Sequence, residues 1–435
     1  MTITYLKKAR KNASTDEDNT RQIVANMLSE IEAGGEQVCA QYALKLDNYH
    51  GNIVVSAQEI EDASKSLSQR VKDDIQFAYE RVHSFALKQR ATLTDFETEL
   101  SPGLWAGQRQ IPMSAAGCYV PGGRYSHVAS AIMSVATAKA AGVEHVIACS
   151  PPKPGQGVNP AIVYTANLAG ADTILALGGV QGIAAMAFGL FTNKPADILV
   201  GPGNRFVAEA KRMLYGRVGI DLFAGPTEIA VIADASADPH LVATDLVGQA
   251  EHGPDSPAWL ITTDRALAEK VIDIMPSYIA SLPETARAAA GTAWDEYGEV
   301  VLCDSDEEAA QVSDDYAAEH LEVMCDNLDW WLQRLRNYGS LFVGEQTNVS
   351  FGDKCSGTNH ILPTKGAARY TGGLSVGKFI KTVTTQRMTE EANREVAAVT
   401  ARISRLEGME AHARTGDARL EKYFPNETFD LKGPQ

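Results

Sequence analysis

The chain has 435 residues, a length that predicts two or three domains rather than one. Lys and Arg number 39 against 55 Asp and Glu, and the resulting formal charge of −16 argues against a nucleic-acid partner, because phosphate binding needs a basic face. The hydrophobic fraction of 45% is enough for a large core. The sequence has no run of roughly eighteen apolar residues and does not begin with the apolar core of a signal peptide. We therefore predict a cytoplasmic protein with no membrane partner.

Residues 1–110 are predicted to form an N-terminal helical region with a short hairpin. Ser56 followed by Glu59 has the form of a capping box, and apolar residues then recur every three or four positions, as in an amphipathic helix. Residues 91–110 alternate around Pro102-Gly103, which is typical of a β-hairpin.

From residue 111 short apolar runs alternate with helical patterns, which is typical of βαβ units on a parallel sheet. Because the alternation restarts after residue 237, we predict two Rossmann-like domains in series, over 111–236 and 237–375, and a helical tail over 376–435. The fold class is therefore α/β. The predicted strands are 116–120, 145–149, 173–177, 197–200, 229–233, 258–262, 300–303, 321–325 and 341–344.

Two separate motifs contain residue types that bind metal ions. Gln249 and His252 lie three residues apart at the end of an apparent helix, so one helix face would direct both towards the same cation. Asp353 and His360 lie in a polar, glycine-bearing segment after the strand over 341–344, and loops at the carboxyl ends of parallel strands are where α/β sheets bind ligands. By itself the first motif is more often an exposed helix end, whereas a purely structural loop explains the second as well as a functional one does.

Two further patterns combine a glutamate with a histidine, and the first of them suits acid–base chemistry. Glu319 and His320 are adjacent, and a carboxylate beside an imidazole supplies two proton acceptors of different pKa. Glu407 and His412 lie at a helix end in the tail, where exposure to solvent is the default interpretation. Adjacent Glu-His pairs also arise by chance, so neither pattern is specific by itself.

Three glycine-rich turns lie between predicted strands and helices. Such turns expose backbone N–H groups at helix N-termini, where a phosphate can bind. None matches the fingerprint GxGxxG with its acidic ribose ligand, and tight turns without a ligand remain an alternative. The turns cover 119–125, 177–182 and 200–205.

Taken together, these segments resemble the histidinol dehydrogenase family, in order over most of the chain. Eight ordered blocks carry the likeness, which makes a chance match negligible. The blocks are YVPGG at 119–123, GGVQGIAA at 178–185, GPGNRFVAEAK at 201–211, AGPTEIAVIAD at 224–234, DLVGQAEH at 245–252, AAEHLEV at 317–323, FGDKCSGTNHILPT at 351–364 and LEGMEAHA at 406–413.

The resemblance implies a zinc-dependent, NAD-linked dehydrogenase that oxidises a small primary alcohol to a carboxylate in two hydride transfers. It also implies a homodimer in which the tail of one subunit reaches across to the other. In the family pattern the zinc ligands fall on Gln249, His252, Asp353 and His412, the catalytic acid–base pair on Glu319 and His320, the NAD contacts on Tyr119, Gln181 and Asn204, and the substrate contacts on Thr227, His360 and Glu407.

Elementary chemistry agrees with this assignment. Two imidazoles, one carboxylate and one amide oxygen form a mixed nitrogen and oxygen shell suited to zinc, with positions left for substrate. The metal polarises the alcohol oxygen, while His320, expected to be neutral near pH 7, removes the alcohol proton. Glu319 then activates the water that hydrates the aldehyde, and a second NAD takes the second hydride.

The segment after the VPGG turn departs from the family pattern. Family members continue with a stretch like TAxYPSS, whereas this chain has Arg124 and His127 there, and Thr227 replaces the usual serine. A guanidinium favours an anionic substrate over the histidinol cation, because Arg binds oxyanions through charge-assisted hydrogen bonds. We therefore expect Arg124, with His127, to neutralise an anionic group of the substrate. A cofactor phosphate or a surface carboxylate is the alternative partner of Arg124.

Three segments resemble the branch of the family that includes sulfopropanediol 3-dehydrogenase. They are GGRYSHVASAIMSVATAKAAGV, NYGSLFVGEQT and LPTKGAARYTGGLSV. This resemblance predicts oxidation of 2,3-dihydroxypropane-1-sulfonate to sulfolactate. The first alternative is oxidation of L-histidinol to L-histidine in histidine biosynthesis. Two others are a non-catalytic metal-binding relative, against which the intact Glu319 and His320 argue, and a zinc hydrolase, which leaves the glycine-rich turns without a purpose.

Overall fold

The computed structural model describes residues 3–11, 17–122, 126–222 and 225–432. The chain divides into two compact units, the first made of Met1–Arg90 and Pro112–Phe379 and the second of Ala91–Ile111 and Ile380–Gln435. The strands of the described residues are β1 (Thr4–Lys7), β2 (Phe96–Ser101), β3 (Leu104–Pro112), β4 (Ala115–Tyr119), β5 (His145–Ser150), β6 (Thr173–Ala176), β7 (Ile198–Val200), β8 (Gly219–Ile220), β9 (Ile229–Ala233), β10 (Ala258–Thr262), β11 (Glu299–Leu302), β12 (His320–Met324), β13 (Ser340–Val343) and β14 (Ile380–Met388).

Helices lie between most of these strands. None of those in the described ranges is both long and apolar enough to cross a membrane. The α-helices are α1 (Glu17–Asp47), α2 (Ala57–Ser66), α3 (Gln69–Ala91), α4 (Val128–Ala131), α5 (Thr137–Ala141), α6 (Pro160–Leu168), α7 (Gly179–Phe188), α8 (Arg205–Leu214), α9 (Pro239–Ala250), α10 (Arg265–Ala280), α11 (Glu284–Tyr297), α12 (Asp306–Tyr316), α13 (Leu328–Arg334), α14 (Val349–Lys354), α15 (Glu390–Leu406) and α16 (Glu410–Tyr423), with a π-helical turn over Ile132–Ala136 and 3₁₀ turns over Ala367–Arg369 and Val376–Phe379.

The first unit contains two sheets. One has the strand order β6-β5-β4-β7-β8, with parallel neighbours throughout. The other has the order β1-β11-β10-β9-β12-β13 and is parallel except at β1. Central strands such as Ile229–Ala233 are buried along their whole length, as expected for apolar runs covered by helices on both faces. The α/β class with parallel sheets is therefore confirmed.

Two edge strands lie where helices were predicted. Thr4–Lys7 pairs antiparallel with β11, and Ile380–Met388 begins the tail as a strand rather than a helix. Their side chains are mostly exposed or half-buried, so they lack the apolar run that marks the central strands. The capping box of Ser56 and Glu59 and the hairpin of β2 and β3 are confirmed.

The second unit combines the sheet β14-β3-β2 with the packed pair of helices α15 and α16. A Cβ atom on Gly416 would lie 2.5 Å from the carbonyl oxygen of Ala397, so glycine is required for the close approach of these helices. Leu420 packs in the same small core, and Arg405 pairs with Asp417 at 2.5 Å. The tail is thus a packed helical hairpin with its own interior.

Candidate active site

Most of the predicted site residues come from opposite edges of the two sheets of the first unit. The five-stranded sheet contributes its carboxyl edge, where Tyr119 ends β4 and glycine turns follow β6 and β7. The six-stranded sheet contributes its amino edge, since Thr227 precedes β9 and His320 begins β12. The expectation of a ligand loop at a carboxyl edge is therefore wrong for Asp353, because this residue lies on the short helix α14, which runs back along the sheet to the start of β12.

Glu319 is fixed by the segment that precedes β9. Its Oε2 accepts the N–H of Glu228 at 2.9 Å and the hydroxyl of Thr227 at 2.5 Å. The same Thr227 oxygen accepts a hydrogen bond from Nε2 of Gln249. One hydroxyl group therefore connects the predicted acid–base pair with a predicted metal ligand, and the threonine predicted to touch substrate has its own proton directed at Glu319.

His320 is buried and held through its Nδ1 atom. Nδ1 lies 2.9 Å from the carbonyl oxygen of Glu228, which only accepts, so Nδ1 carries the hydrogen. Its Nε2 lacks a hydrogen-bond partner among the described residues and lies 3.6 Å from Oδ1 of Asp353. This buried, unpaired nitrogen is the atom best placed to exchange a proton with a substrate.

The surroundings of His320 act in opposite directions on its charge state. Burial lowers its pKa, but the carboxylates of Glu319 and Asp353 outweigh burial and raise the pKa well above the ordinary value. The protonated imidazole is therefore favoured while both carboxylates act on it. For His320 to act as a base, the negative charge of Asp353 has to be compensated, because that charge favours the protonated imidazole.

Three of the four predicted zinc ligands line one cavity of about 130 Å³, which we name the inner cavity. Gln249 lies in the last turn of α9, His252 follows that helix, and Asp353 lies near the end of α14. The inner cavity is also lined by Thr227, Glu319, His320, His127, His360 and Lys354.

The chemistry of these donors fits zinc. Gln249 uses its Nε2 on Thr227, which leaves the amide oxygen as an acceptor. Burial lowers the pKa of His252, which favours the neutral, coordinating imidazole. Burial opposes ionisation of Asp353, but the neighbouring imidazoles of His320 and His360 and the charge of Lys354 outweigh burial and hold the carboxyl pKa below its usual range. No group of three or more His, Cys, Asp and Glu residues forms a metal cluster within the described ranges, and the donors here include an amide instead.

Two of the predicted site residues belong to the C-terminal tail. His412 is in the first turn of α16, and Glu407 follows the end of α15. Both belong to the second unit, and both are exposed. Arg124, predicted to bind the substrate anion, lies outside the described residues.

His360 is held between two partners. Its Nδ1 lies 2.9 Å from the carbonyl oxygen of Asp353 and therefore carries the hydrogen. Its Nε2 then accepts from the hydroxyl of Ser130 at 2.8 Å, and burial lowers the pKa of the ring, in agreement with a neutral imidazole. Sequence reasoning missed Ser130, since a serine within an apolar helical stretch carries no local signal for this contact.

A further cavity of about 300 Å³, which we name the outer cavity, shares His127, His252, His360 and Lys354 with the inner one. Burial lowers the pKa of His127 to about 4, and the neighbouring His360, His252 and Lys354 act in the same direction. His127 is therefore a neutral group at pH 7. Lys354 was not singled out from the sequence.

The predicted cofactor residues meet in a larger cavity of about 610 Å³, which we name the glycine-lined cavity. Tyr119 is buried, and its hydroxyl oxygen accepts the N–H of Gly179 at 3.1 Å. Gln181 donates through Nε2 to Asp47 at 2.9 Å, and the Asn204 side chain caps the N-terminus of α8. The three residues are thus brought together, each fixed by a hydrogen bond.

The walls of the glycine-lined cavity combine tight turns with an apolar side. Gly201 has φ +112°, and a Cβ there would lie 2.0 Å from the carbonyl oxygen of Tyr119, so this turn requires glycine. The apolar side comes from Ile23, Met27 and Leu46 of α1, a helix that the sequence did not connect with the site. Such a cavity can hold an elongated ligand with polar and aromatic parts.

Comparison with known proteins identifies relatives along nearly the whole chain. The histidinol dehydrogenase family model matches residues 10–420. A histidinol dehydrogenase homolog of Pelagibacter ubique is 64% identical over 97% of this chain and 99% of its own length. Sulfopropanediol 3-dehydrogenase of Ruegeria pomeroyi is 62% identical over 99% of each chain. The crystal structure of histidinol dehydrogenase from Elizabethkingia anophelis matches with a TM-score of 0.88 at 33% identity, over 95% of this chain and 94% of that one.

These matches cover every site position discussed above, in both units. They confirm the resemblance that the eight ordered sequence blocks indicated. The chain therefore belongs to the histidinol dehydrogenase family and is an NAD-dependent four-electron dehydrogenase that acts on CH–OH groups.

Proposed function

We propose that this dehydrogenase oxidises the primary alcohol of 2,3-dihydroxypropane-1-sulfonate to the carboxylate of sulfolactate. The observation that carries the proposed chemistry is the inner cavity, where Glu319 and His320 lie beside three zinc donors and next to the glycine-lined cavity. The choice of substrate is supported by the Ruegeria pomeroyi relative, which is named sulfopropanediol 3-dehydrogenase and is 62% identical.

Zinc would be held by Gln249, His252 and Asp353, with His412 from the tail of a second copy as the fourth ligand. Bound zinc supplies a positive charge that polarises the substrate hydroxyl. With the charge of Asp353 compensated in this way, less negative field acts on His320, and the imidazole becomes available in the neutral form.

His320 Nε2 accepts the proton of the substrate hydroxyl group, while a hydride leaves the carbon that carries this hydroxyl and passes to the first NAD. Its Nδ1–H stays on the carbonyl oxygen of Glu228, so the ring and its tautomer are fixed. Glu319 then takes a proton from the water that adds to the aldehyde, and the second hydride leaves the resulting hydrate for a second NAD. In total one alcohol, one water and two NAD⁺ give one carboxylate, two NADH and three protons.

Oxidation of L-histidinol is the second candidate. It is favoured by the fold match to histidinol dehydrogenase of Elizabethkingia anophelis and requires the same acid–base pair. The two candidates differ in the charge of the substrate, since the sulfonate diol is an anion and histidinol is a cation. The groups that contact the far end of the substrate therefore decide between them.

The test is NADH formation by the zinc-loaded protein with 2,3-dihydroxypropane-1-sulfonate or L-histidinol at equal concentrations. We expect two NADH for each sulfonate diol consumed, with sulfolactate as the product, and no comparable rate with histidinol. Faster oxidation of histidinol would contradict the sulfonate assignment. Protein that binds zinc and NAD but reduces no NAD with either alcohol would contradict both.

A further inference from the structure

One positively charged residue of the outer cavity has no part in the reaction described above. Lys354 ends α14 directly after Asp353 and lines both the outer and the inner cavity. Its Nζ lies 3.8 Å from Oδ2 of Asp353, too far for a hydrogen bond, and it donates none to any described residue. The side chain is 62% exposed, so its three N–H groups are accessible to a ligand.

The position of Lys354 is central to the two cavities. Its charge is one of the causes that lower the pKa values of His127, His252 and His360, the three imidazoles that line the same cavities. Glu251 places a carboxylate on the outer cavity but does not line the inner one. Among the described residues, Lys354 is therefore the positive side chain that both cavities share, within reach of a molecule whose other end lies beside the acid–base pair.

We propose that Lys354 binds the anionic end of the substrate in the outer cavity while the alcohol end lies in the inner cavity beside His320. The inference rests on the proposed function and adds the group that recognises the sulfonate. Because an ammonium is a compact point charge without the fixed geometry of a guanidinium, the site takes small alcohols that carry a sulfonate or a carboxylate. His127, neutral and on the same wall, supplies a hydrogen bond to the anion.

Steady-state kinetics of Lys354→Met test the proposal, since methionine keeps the aliphatic stem and removes the charge. We expect KM for the sulfonate diol to rise about 10- to 100-fold with kcat nearly unchanged, the size of one lost charge-assisted hydrogen bond. Lys354→Arg should recover most of the loss. The kinetic constants for uncharged 1,2-propanediol should be the same in Lys354→Met as in the wild type. Lys270→Met, which removes an exposed lysine of α10, should leave the kinetic constants for both substrates unchanged.

Binding measured without turnover separates this proposal from the proposed function. Calorimetric titration with 2-hydroxyethanesulfonate should give an affinity for the wild type that Lys354→Met lowers by the same factor, whether or not the sulfonate diol is oxidised. If the diol is oxidised but KM and affinity are the same in Lys354→Met, the role of Lys354 is overturned and the function stands. If the wild type neither oxidises nor binds the sulfonates, both are overturned. Loss of zinc from Lys354→Met would instead assign Lys354 to the positioning of Asp353.

Discussion

The carboxyl group of Asp245 acts on that of Glu322 inside the first unit and, after burial, is the largest cause that raises the pKa of Glu322. Two neighbouring carboxyl groups that are shielded from water favour a state in which one of them carries a proton. Glu322 is 1% exposed, and its Oε1 accepts the N–H of Val349 at 2.8 Å, while Asp245 accepts from Asn348 at 3.0 Å. The buried Glu322 carboxyl beside Asp245 is therefore the group on which a proton is favoured.

This contact joins the three elements that carry the site. Glu322 lies two residues after His320 and so on the same face of β12. Asp245 lies one helical turn before Gln249 on α9. Asn348 caps the N-terminus of α14, the helix that carries the third zinc ligand. Interactions among β12, α9 and α14 thus fix the positions of the acid–base pair and the metal donors relative to one another.

The raised pKa of Glu322 predicts that the stability of the folded chain depends on pH. Burial, followed by the charge of Asp245, raises the pKa of Glu322 from 4.5 to about 8. Between these values the folded chain holds a proton that the unfolded chain has lost, so this part of the stability is complete below about pH 4.5 and is lost as pH rises through about 8. The free energy of unfolding should fall with pH in this window by up to about 1.4 kcal/mol per unit.

Urea unfolding of the wild type and of Glu322→Gln between pH 6 and 9 measures this effect. Glutamine keeps a donor for Asp245 and an acceptor for Val349 but does not titrate, so the slope should be smaller in the variant. Glu144→Gln, which changes an exposed carboxylate, should retain the wild-type slope. Equal slopes in wild type and Glu322→Gln would place the titrating proton elsewhere.

Replacing Glu319 with glutamine should separate the two oxidation steps. The amide cannot accept a proton from water, so hydration of the aldehyde should slow by about 10²- to 10⁴-fold while the first hydride transfer is affected less. The expected readout is close to one NADH for each alcohol consumed, with aldehyde trapped by a hydrazine reagent, in place of two NADH and the acid. Glu319→Gln that still gives two NADH at the wild-type rate would assign water activation to another group.

Metal removal should abolish the reaction and be reversed by zinc. Asp353→Asn keeps the shape of the side chain but loses the charge, so it should weaken zinc binding by at least about 10-fold. Zinc content after dialysis against a graded chelator, measured by mass spectrometry, gives the comparison. Asp273→Asn, a change at an exposed position of α10, serves as the matched control. Zinc content equal to the wild type in Asp353→Asn would remove this carboxylate from the set of ligands.

Mixing inactive variants should test the exchanged tail. If His412 completes the site of a second copy, refolded mixtures of His320→Ala and His412→Ala contain mixed dimers with one intact site. At equal amounts about a quarter of all sites should then be active, although each variant alone is inactive. Mixtures that stay inactive while mixed dimers are demonstrated by mass spectrometry would show that each chain completes its own site.

The sequence predicted the parts of the fold that depend on local pattern. Ile229–Ala233 and Ala258–Thr262 were predicted with the bounds observed, because buried central strands are short apolar runs between clear breaks. Ile380–Met388 was missed because an exposed edge strand of alternating Thr, Lys and Gln lacks that run. Asp353 was assigned to a loop, since a six-residue helix with an internal glycine has little helical signal.

The site was predicted unevenly for a similar reason. Tyr119, Gln249 and His320 lie within motifs whose order along the chain indicated the family. Ser130 and the Asp245–Glu322 pair act through partners distant along the chain, and no local spacing encodes which residues meet across a sheet. Their roles became visible only from the packing.

His127 and His252 form a common wall between the inner cavity and the glycine-lined cavity. In the proposed function the reacting carbon lies in the inner cavity and the nucleotide enters through the adjoining glycine-lined cavity, so that hydride passes where the two cavities meet. A spent nucleotide could then leave through the glycine-lined cavity and be replaced while the half-oxidised substrate stays in the inner one. A single protein site can in this way serve two successive redox events without releasing a reactive carbonyl compound to the surroundings.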